Sequence, residues 1–334
     1  MTRSLALSIL VLSISLAACA GERDVTVLKL GHGMDPGHPV ARAMEYMAEV
    51  LAEKSGGQMR IDIYPAGQLG SERELLELLQ IGSVPITKVS AAALEGFAPA
   101  YKMFSVPYLF RDKQHMFNVL EGEVGDEILL SGEKYWLRGL TYYDAGSRSF
   151  YTKARPINSP SDLAGLKIRV MESPSAVQMI NQLGGSATPI SYGELYSALQ
   201  QGVVDGAENN PPSFHMSRHY EICKYYTLDE HTSIPDVLVI STAAWARLTP
   251  QEQAWLQEAA DESAEKQKVL WKEAVDEALR VVQEAGVEII RPPKEPFADK
   301  VEPLYAAYAP PRSGRWAPED SLIYSLIQRV RETE

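Results

Sequence analysis

The chain has 334 residues, 45% of them hydrophobic and 23% charged, with a formal net charge of −12. That is the composition of a globular protein of about two domains. No basic stripe is available to displace counterions, so nucleic acid is excluded as a partner, and any small anion must be held by local cations against the mean field.

Residues 1–18 carry one early positive charge, Arg3, then an apolar segment from Leu5 to Leu16 and small residues. This reads as a secretory signal, too short to span a bilayer as a helix. Its end, Leu16-Ala17-Ala18-Cys19, has the form of a bacterial lipobox, in which Cys19 is lipidated, becomes the first mature residue and anchors the chain to the membrane. Ordinary cleavage with Cys19 incidental is the alternative. Either way the mature chain is expected on the extracytoplasmic, periplasmic side, where Cys223, left alone, makes no internal disulfide. Residues 219–226 around it read as a helix with Cys223 as a small core residue.

Strand and helix signals then alternate. Residues 25–30 read as a strand, 39–54 as a helix and 59–64 as a strand, and Ser71-Glu72-Arg73-Glu74 is a capping box opening a helix over 72–81. Leu75, Leu78 and Leu79 give that helix one apolar face. A further strand over 84–89 completes a βαβ pattern, which predicts a mostly parallel sheet. The loop 31–38 carries G-x-G-x-x-x-G, close to a dinucleotide fingerprint, but the second strand ends in Ile63-Tyr64-Pro65 with no acidic residue for a ribose. No cofactor is expected. His32, Asp35 and His38 lack an obvious fourth ligand, so no metal is expected either. The glycines instead allow backbone to approach a bound molecule.

The stretch 147–210 is the most informative. Arg148 lies in the strand-like Gly146-Ser147-Arg148-Ser149-Phe150-Tyr151, and Arg169 sits inside the β-branched run Lys167-Ile168-Arg169-Val170. Arginine is seldom buried unless paired, although an outward-facing arginine on an edge strand is the alternative. A third strand ends Ala207-Glu208-Asn209-Asn210 before two prolines. Carboxyl ends of strands are where α/β sheets bind ligands. Two guanidinium forks and an amide there suit an organic carboxylate.

A strand over 237–241 follows. Thr249-Pro250-Gln251-Glu252 is a capping box opening a helix over 250–285, with Gly286 as its stop. At about 1.5 Å per residue it is about 54 Å long, more than the roughly 40 Å diameter of one lobe. It should therefore run from one lobe onto the other, with 261–268, polar on every face, as the bridge; one continuous surface helix is the alternative. Residues 287–290 read as a strand and 320–330 as an amphipathic helix. The chain has no G-x-S-x-G, H-E-x-x-H or P-loop, and no catalytic residue is assigned.

Six pieces recur in order along the chain: Gln68-Leu69-Gly70-Ser71-Glu72-Arg73-Glu74, Val106-Pro107-Tyr108-Leu109-Phe110, Arg155-Pro156-Ile157, Asp162-Leu163-Ala164-Gly165-Leu166-Lys167-Ile168-Arg169-Val170, Glu194-Leu195-Tyr196-Ser197-Ala198-Leu199-Gln200 and Gly202-Val203-Val204-Asp205-Gly206-Ala207-Glu208-Asn209. Together they resemble the extracytoplasmic solute-binding subunits of tripartite ATP-independent periplasmic (TRAP) transporters. The resemblance implies a two-lobed α/β fold of the type II periplasmic-binding kind, with discontinuous domains: 25–145 plus 235–270 as lobe I and 146–234 plus 271–334 as lobe II. It also implies capture of an organic acid and delivery to an ion-gradient-driven TRAP membrane permease. Arg169 matches the family arginine that pairs with the ligand carboxylate, Arg148 the second arginine and Asn209 the orienting amide. Glu72, Ser90, Glu172 and Tyr192 fall at pocket positions, and the loop holding His32 falls at the cleft. With Glu208, that wall offers mainly acceptors, to which hydroxyls donate, whereas a second carboxylate would meet like charge. A hexuronate or related sugar acid is therefore favoured over a C4-dicarboxylate; an extracytoplasmic hydrolase is the reading from another class.

Overall fold

Residues 25–311 and 316–334 are described by the computed structural model; the expected signal segment and Cys19 lie outside the described residues. The strands in chain order are β1 (Thr26–Gly31), β2 (Met59–Tyr64), β3 (Ile86–Ser90), β4 (Leu137–Tyr143), β5 (Ser147–Thr152) and β6 (Lys167–Val170), then β7 (Ser186–Pro189), β8 (Gly206–Asn209), β9 (Tyr225–Ser233), β10 (Asp236–Ser241) and β11 (Glu288–Ile290). They form two sheets. The first has the order β2-β1-β3-β10-β4 and the second β11-β9-β5-β8-β6-β7. Each sheet takes strands from distant parts of the chain: β10 returns to the first and β11 to the second. Both lobes are thus discontinuous in sequence. Because β10 arrives from the other lobe, it runs antiparallel to β3 and β4, while β1 pairs parallel with β2 and β3.

Helices α1 (Pro39–Lys54), α2 (Glu72–Gln80), α3 (Lys113–Leu120) and α4 (Glu123–Ser131) belong to the first lobe, and α5 (Pro174–Leu183), α6 (Leu195–Gln201) and α7 (Pro211–Met216) to the second. The capping box on α2 forms as read: the Ser71 hydroxyl accepts from Glu74 N and the Glu74 carboxylate from Ser71 N. Leu75, Leu76 and Leu79 bury its apolar face.

One unbroken helix, α8 (Pro250–Glu284), spans both lobes. Leu256, Ala259, Ala264, Leu270 and Trp271 pack into the first-lobe core and Val282 into the second. The stretch 261–268 is not solvated on every face. Ser263 and Gln267 are buried. Tyr143 OH and Ser263 Oγ lie 2.7 Å apart, and the Gln267 amide accepts from Asp144 N at 2.8 Å and donates to Asp144 O at 2.7 Å. These polar groups dock the helix on the strand that leaves the first lobe, where sequence polarity alone suggests solvent.

Two further expectations change. Residues 219–226 are not a helix: a single 3₁₀ turn, His219–Glu221, gives way to β9. Pairing with β5 and β11 captures Tyr225, Tyr226 and Thr227, whose aromatic and β-branched side chains suit a sheet. Cys223 is buried in the second-lobe core, as expected of a small core residue. The C-terminal segment is divided, not confined to the second lobe. Phe297 and Val301 of α9 (Glu295–Ala306) pack on the second lobe, whereas Ile323, Leu326, Ile327 and Val330 of α10 (Pro318–Glu332) pack on the first.

Candidate functional site

A cavity of about 620 Å³ lies between the lobes, within the size range of small-molecule sites. The first lobe lines it with the loop after β1, the turn opening α2 and the carboxyl end of β3. The second contributes the ends of β5, β6 and β8 and the loop 190–194. This is the strand-end position expected for ligands in α/β sheets.

Arg169 is 2% exposed and lines the cavity. Its Nε donates to Ile190 O at 2.8 Å, yet its Nη1 is buried without a hydrogen-bond partner among the described residues. Among the described residues no ion pair reaches it, and Glu172 lines the cavity without pairing with it. Burial lowers its pKa, with Tyr151 and Glu208 acting in the opposite sense. A guanidinium does not lose its proton in a protein, so this is a desolvated cation facing a cavity. Such a charge costs several kcal/mol unless an anion meets it.

Arg148 is the opposite case. Its Nε bonds Glu208 Oε2, its Nη2 donates to Glu208 Oε1 at 3.0 Å and Glu208 O at 2.8 Å, and its Nη1 donates to Asn209 Oδ1 at 2.9 Å. Most of its donors are thereby committed. Glu208 is not in the cavity wall; it stands behind Arg148 as its counter-ion. His231 Nε2 lies 3.5 Å from Glu208, and its Nδ1 lies 2.8 Å from Asp229 Oδ2. Burial alone would raise the Glu208 pKa, but Arg148 and His231 prevail and hold it at about 2. Burial would likewise lower His231, but Asp229 and Glu208 bring it up to about 9. The network is rigid, charged and internally neutralised. It fixes Asn209, whose Oδ1 also accepts from Asn210 N at 2.9 Å, with the amide nitrogen left to donate.

On the first-lobe wall, Glu72 Oε1 accepts from Ser90 N at 3.0 Å and lies 3.4 Å from Lys88 Nζ, which also lies 3.2 Å from Asp236 Oδ2. Lys88 is 1% exposed, and although burial opposes its charge, Asp236 and Glu72 raise its pKa. Glu72 and Asp236 thus share the one Lys88 cation. Ser90 caps the helical turn Ala91–Leu94 through a 3.4 Å bond from Ala92 N. Tyr192 lines the cavity with its hydroxyl bonded to Ser217 Oγ.

His32 lies outside the cavity wall. Its Nδ1 accepts from Met34 N at 3.2 Å, which shapes the loop whose Gly33 and Met34 face the cavity. His38 does line the cavity, as the N-cap of α1. Burial, then Lys88, lowers both histidines to about 3, so both are neutral. No group of three or more His, Cys, Asp or Glu placed to hold a metal occurs among the described residues.

Sequence reasoning overlooked Lys88 and Asp236, and weighed His38 only as a metal ligand. The signal for Lys88 was the one used for Arg169: a long cation inside a strand whose five residues are all buried.

A family model described as bacterial extracellular solute-binding protein, family 7, matches residues 30–310. The uncharacterised protein YiiZ of Salmonella typhimurium is 40% identical over 309 residues, covering 92% of this chain and 91% of its own. Among solved structures, a TRAP periplasmic solute-binding protein from Xanthobacter autotrophicus with bound β-D-galacturonate superposes with a TM-score of 0.87 at 36% identity, covering 92% of this chain and all of the other. One from Roseobacter denitrificans with bound β-D-glucuronate gives 0.87 at 34%, with the same coverage. The two-sheet architecture, the interlobe cavity and these matches lead to one conclusion: the chain belongs to the family 7 bacterial extracellular solute-binding proteins, the solute receptors of TRAP transporters.

Proposed function

We propose that this receptor binds a hexuronate, such as D-galacturonate or D-glucuronate, and passes it to a TRAP membrane permease from an extracytoplasmic position held by a lipid on Cys19. The observation that carries the proposal is the unpaired Nη1 of Arg169, a buried donor on a cation that a ligand carboxylate completes. The uronates bound by the Xanthobacter and Roseobacter relatives have that carboxylate on a polyhydroxylated ring.

In this scheme Arg169 takes the carboxylate, Arg148 adds one remaining N–H, and the Asn209 amide fixes the carboxylate plane. Ring hydroxyls donate to Glu72, Glu172 and Asp236, while Ser90 and Tyr192 offer two-way hydroxyl groups. A C4-dicarboxylate fits less well. Its second carboxylate would face Glu72, Glu172 and Asp236 against Lys88 and Arg73, an excess of like charge that opposes binding.

A thermal-shift screen of D-galacturonate, D-glucuronate, aldonates, succinate, malate and N-acetylneuraminate tests the reading. A ligand at 100 times its dissociation constant should add about 2.7 kcal/mol to folding stability. Stabilisation by a uronate is expected. Stabilisation by succinate or malate with none by any uronate would overturn the ligand while leaving the receptor, and a uniformly flat screen would count against both.

A further inference from the structure

Beside the cavity, a buried charged contact joins the lobes. Glu95 follows the helical turn Ala91–Leu94 of the first lobe and is 8% exposed. Its Oε1 accepts from Ser173 Oγ at 2.9 Å and from Ser175 N at 2.9 Å, both in the second lobe. Ser173 is the N-cap of α5, and its Oγ in turn accepts from Ala176 N at 3.0 Å. Glu95 therefore satisfies an orphan N–H of a ten-residue helix on the other lobe and places its negative charge at the positive end of that helix. The two lobes thus meet on one carboxylate.

The position matters for ligand. Ala93 and Phe97 flank Glu95, Met171 and Glu172 precede Ser173, and all four line the cavity. The turn that Glu95 holds is the continuation of β6, which carries Arg169.

We propose that Glu95 is a positioning residue for ligand capture: an interlobe clasp, without ligand contact, that seats the β6–α5 turn on the first lobe when the cleft is shut. The proposal rests on the receptor reading above, but not on which acid is bound. The acceptor is on one lobe and both donors are on the other, so parting of the lobes at this edge breaks both bonds and hydrates all three groups. The contact therefore weights the closed state alone. A state-selective contact changes apparent affinity by the factor it contributes to closure, and closure follows encounter, so the change falls on the dissociation rate. Two hydrogen bonds, each contributing a net factor of roughly 3 to 10, imply an effect of roughly 10- to 100-fold.

The test is stopped-flow binding of whichever acid stabilises the wild-type chain, D-galacturonate first, to Glu95→Ala, Glu95→Gln and Ser173→Ala, with melting temperatures recorded alongside. Glu95→Ala should raise koff roughly 10- to 100-fold with kon within twofold of wild type, and Glu95→Gln, which keeps an acceptor without the charge, should fall between. Adding Ser173→Ala to Glu95→Ala should cost less than the two separate effects together, because both remove the same bond. A folded Glu95→Ala with wild-type koff, or with its loss confined to kon, overturns the clasp; should that variant not fold, Glu95→Gln decides, and a koff within twofold of wild type overturns it. A wild-type chain that binds none of the screened acids refutes the function instead, which keeps the two failures apart.

Discussion

Arg148 and Arg169 line the same cavity, yet their removal should move stability and affinity in different proportions. Among the described residues Arg169 has one hydrogen bond, to Ile190 O, and a buried charge that no carboxylate meets. Arg169→Met loses a bond from a charged donor, about 1.5–3 kcal/mol, and relieves a desolvation cost of several kcal/mol. The two terms oppose each other, so ligand-free stability should stay within about 2 kcal/mol of wild type. Binding should suffer: losing one partner of a desolvated charge pair costs about 2–5 kcal/mol, or roughly 30- to 4,000-fold in Kd. Arg169→Lys should recover little, because an ammonium cannot form two parallel bonds to a carboxylate. Arg148→Met removes four hydrogen bonds and leaves Glu208, which is 1% exposed, with His231 as its one remaining cation among the described residues. Its ligand-free stability should fall by about 3–5 kcal/mol. Urea titration supplies the stabilities and calorimetry with D-galacturonate the affinities. Near wild-type affinity in Arg169→Met, or a stability loss there as large as in Arg148→Met, would refute the assignment of one arginine to ligand and the other to its counter-ion.

Lys88→Met should cost about 3–5 kcal/mol, because Glu72 and Asp236 lose their shared cation, and adding Glu72→Gln should restore part of it; equal losses in the single and double variants would disprove the coupling. Stability should also depend on pH through the Glu208–His231 pair. His231 is raised from 6.5 to about 9, so its contribution is complete below pH 6.5 and lost as pH climbs through about 9. Glu208 is lowered from 4.5 to about 2, so its contribution is present above pH 4.5 and lost as pH falls through about 2. Urea midpoints should therefore decline from pH 6.5 to 9, and His231→Gln should flatten that limb; an unchanged slope would place the alkaline loss elsewhere. Mass spectrometry of the mature N-terminus should find Cys19 first and diacylated, since two chains give stable anchoring where one does not; an unmodified Cys19 or a cut at another residue would exclude the anchor.

The parts of the site readable in advance were those where side-chain chemistry clashes with its surroundings in sequence. Arg148 and Arg169 stood out as long cations in β-branched runs. Glu208 and Asn209 are adjacent and both buried, in a strand with all four residues buried; alternation cannot then say which lines the cavity and which stands behind Arg148. Ser263 and Gln267 look solvated because their partners, Tyr143 and Asp144, lie 120 and 123 residues away. The apolar stripe of α10 was equally plain, whereas its landing place was not, because a hydrophobic face states that it will be covered and not by what.

The continuity of α8 restricts how this chain can tolerate insertions and deletions. Leu270 and Trp271 fix the helix on one body and Val282 fixes it on the other. One residue added between these anchors would turn everything beyond it by about 100° at 3.6 residues per turn. Val282 would leave its core, and the strand that follows, β11, would lose its register on β9. A surface loop absorbs the same change at little cost. Lineages related to this chain should therefore vary in length at their loops and keep the 271–282 spacing, and an engineered one-residue insertion there should abolish folding of the second lobe while leaving the first sheet's strands free to pair.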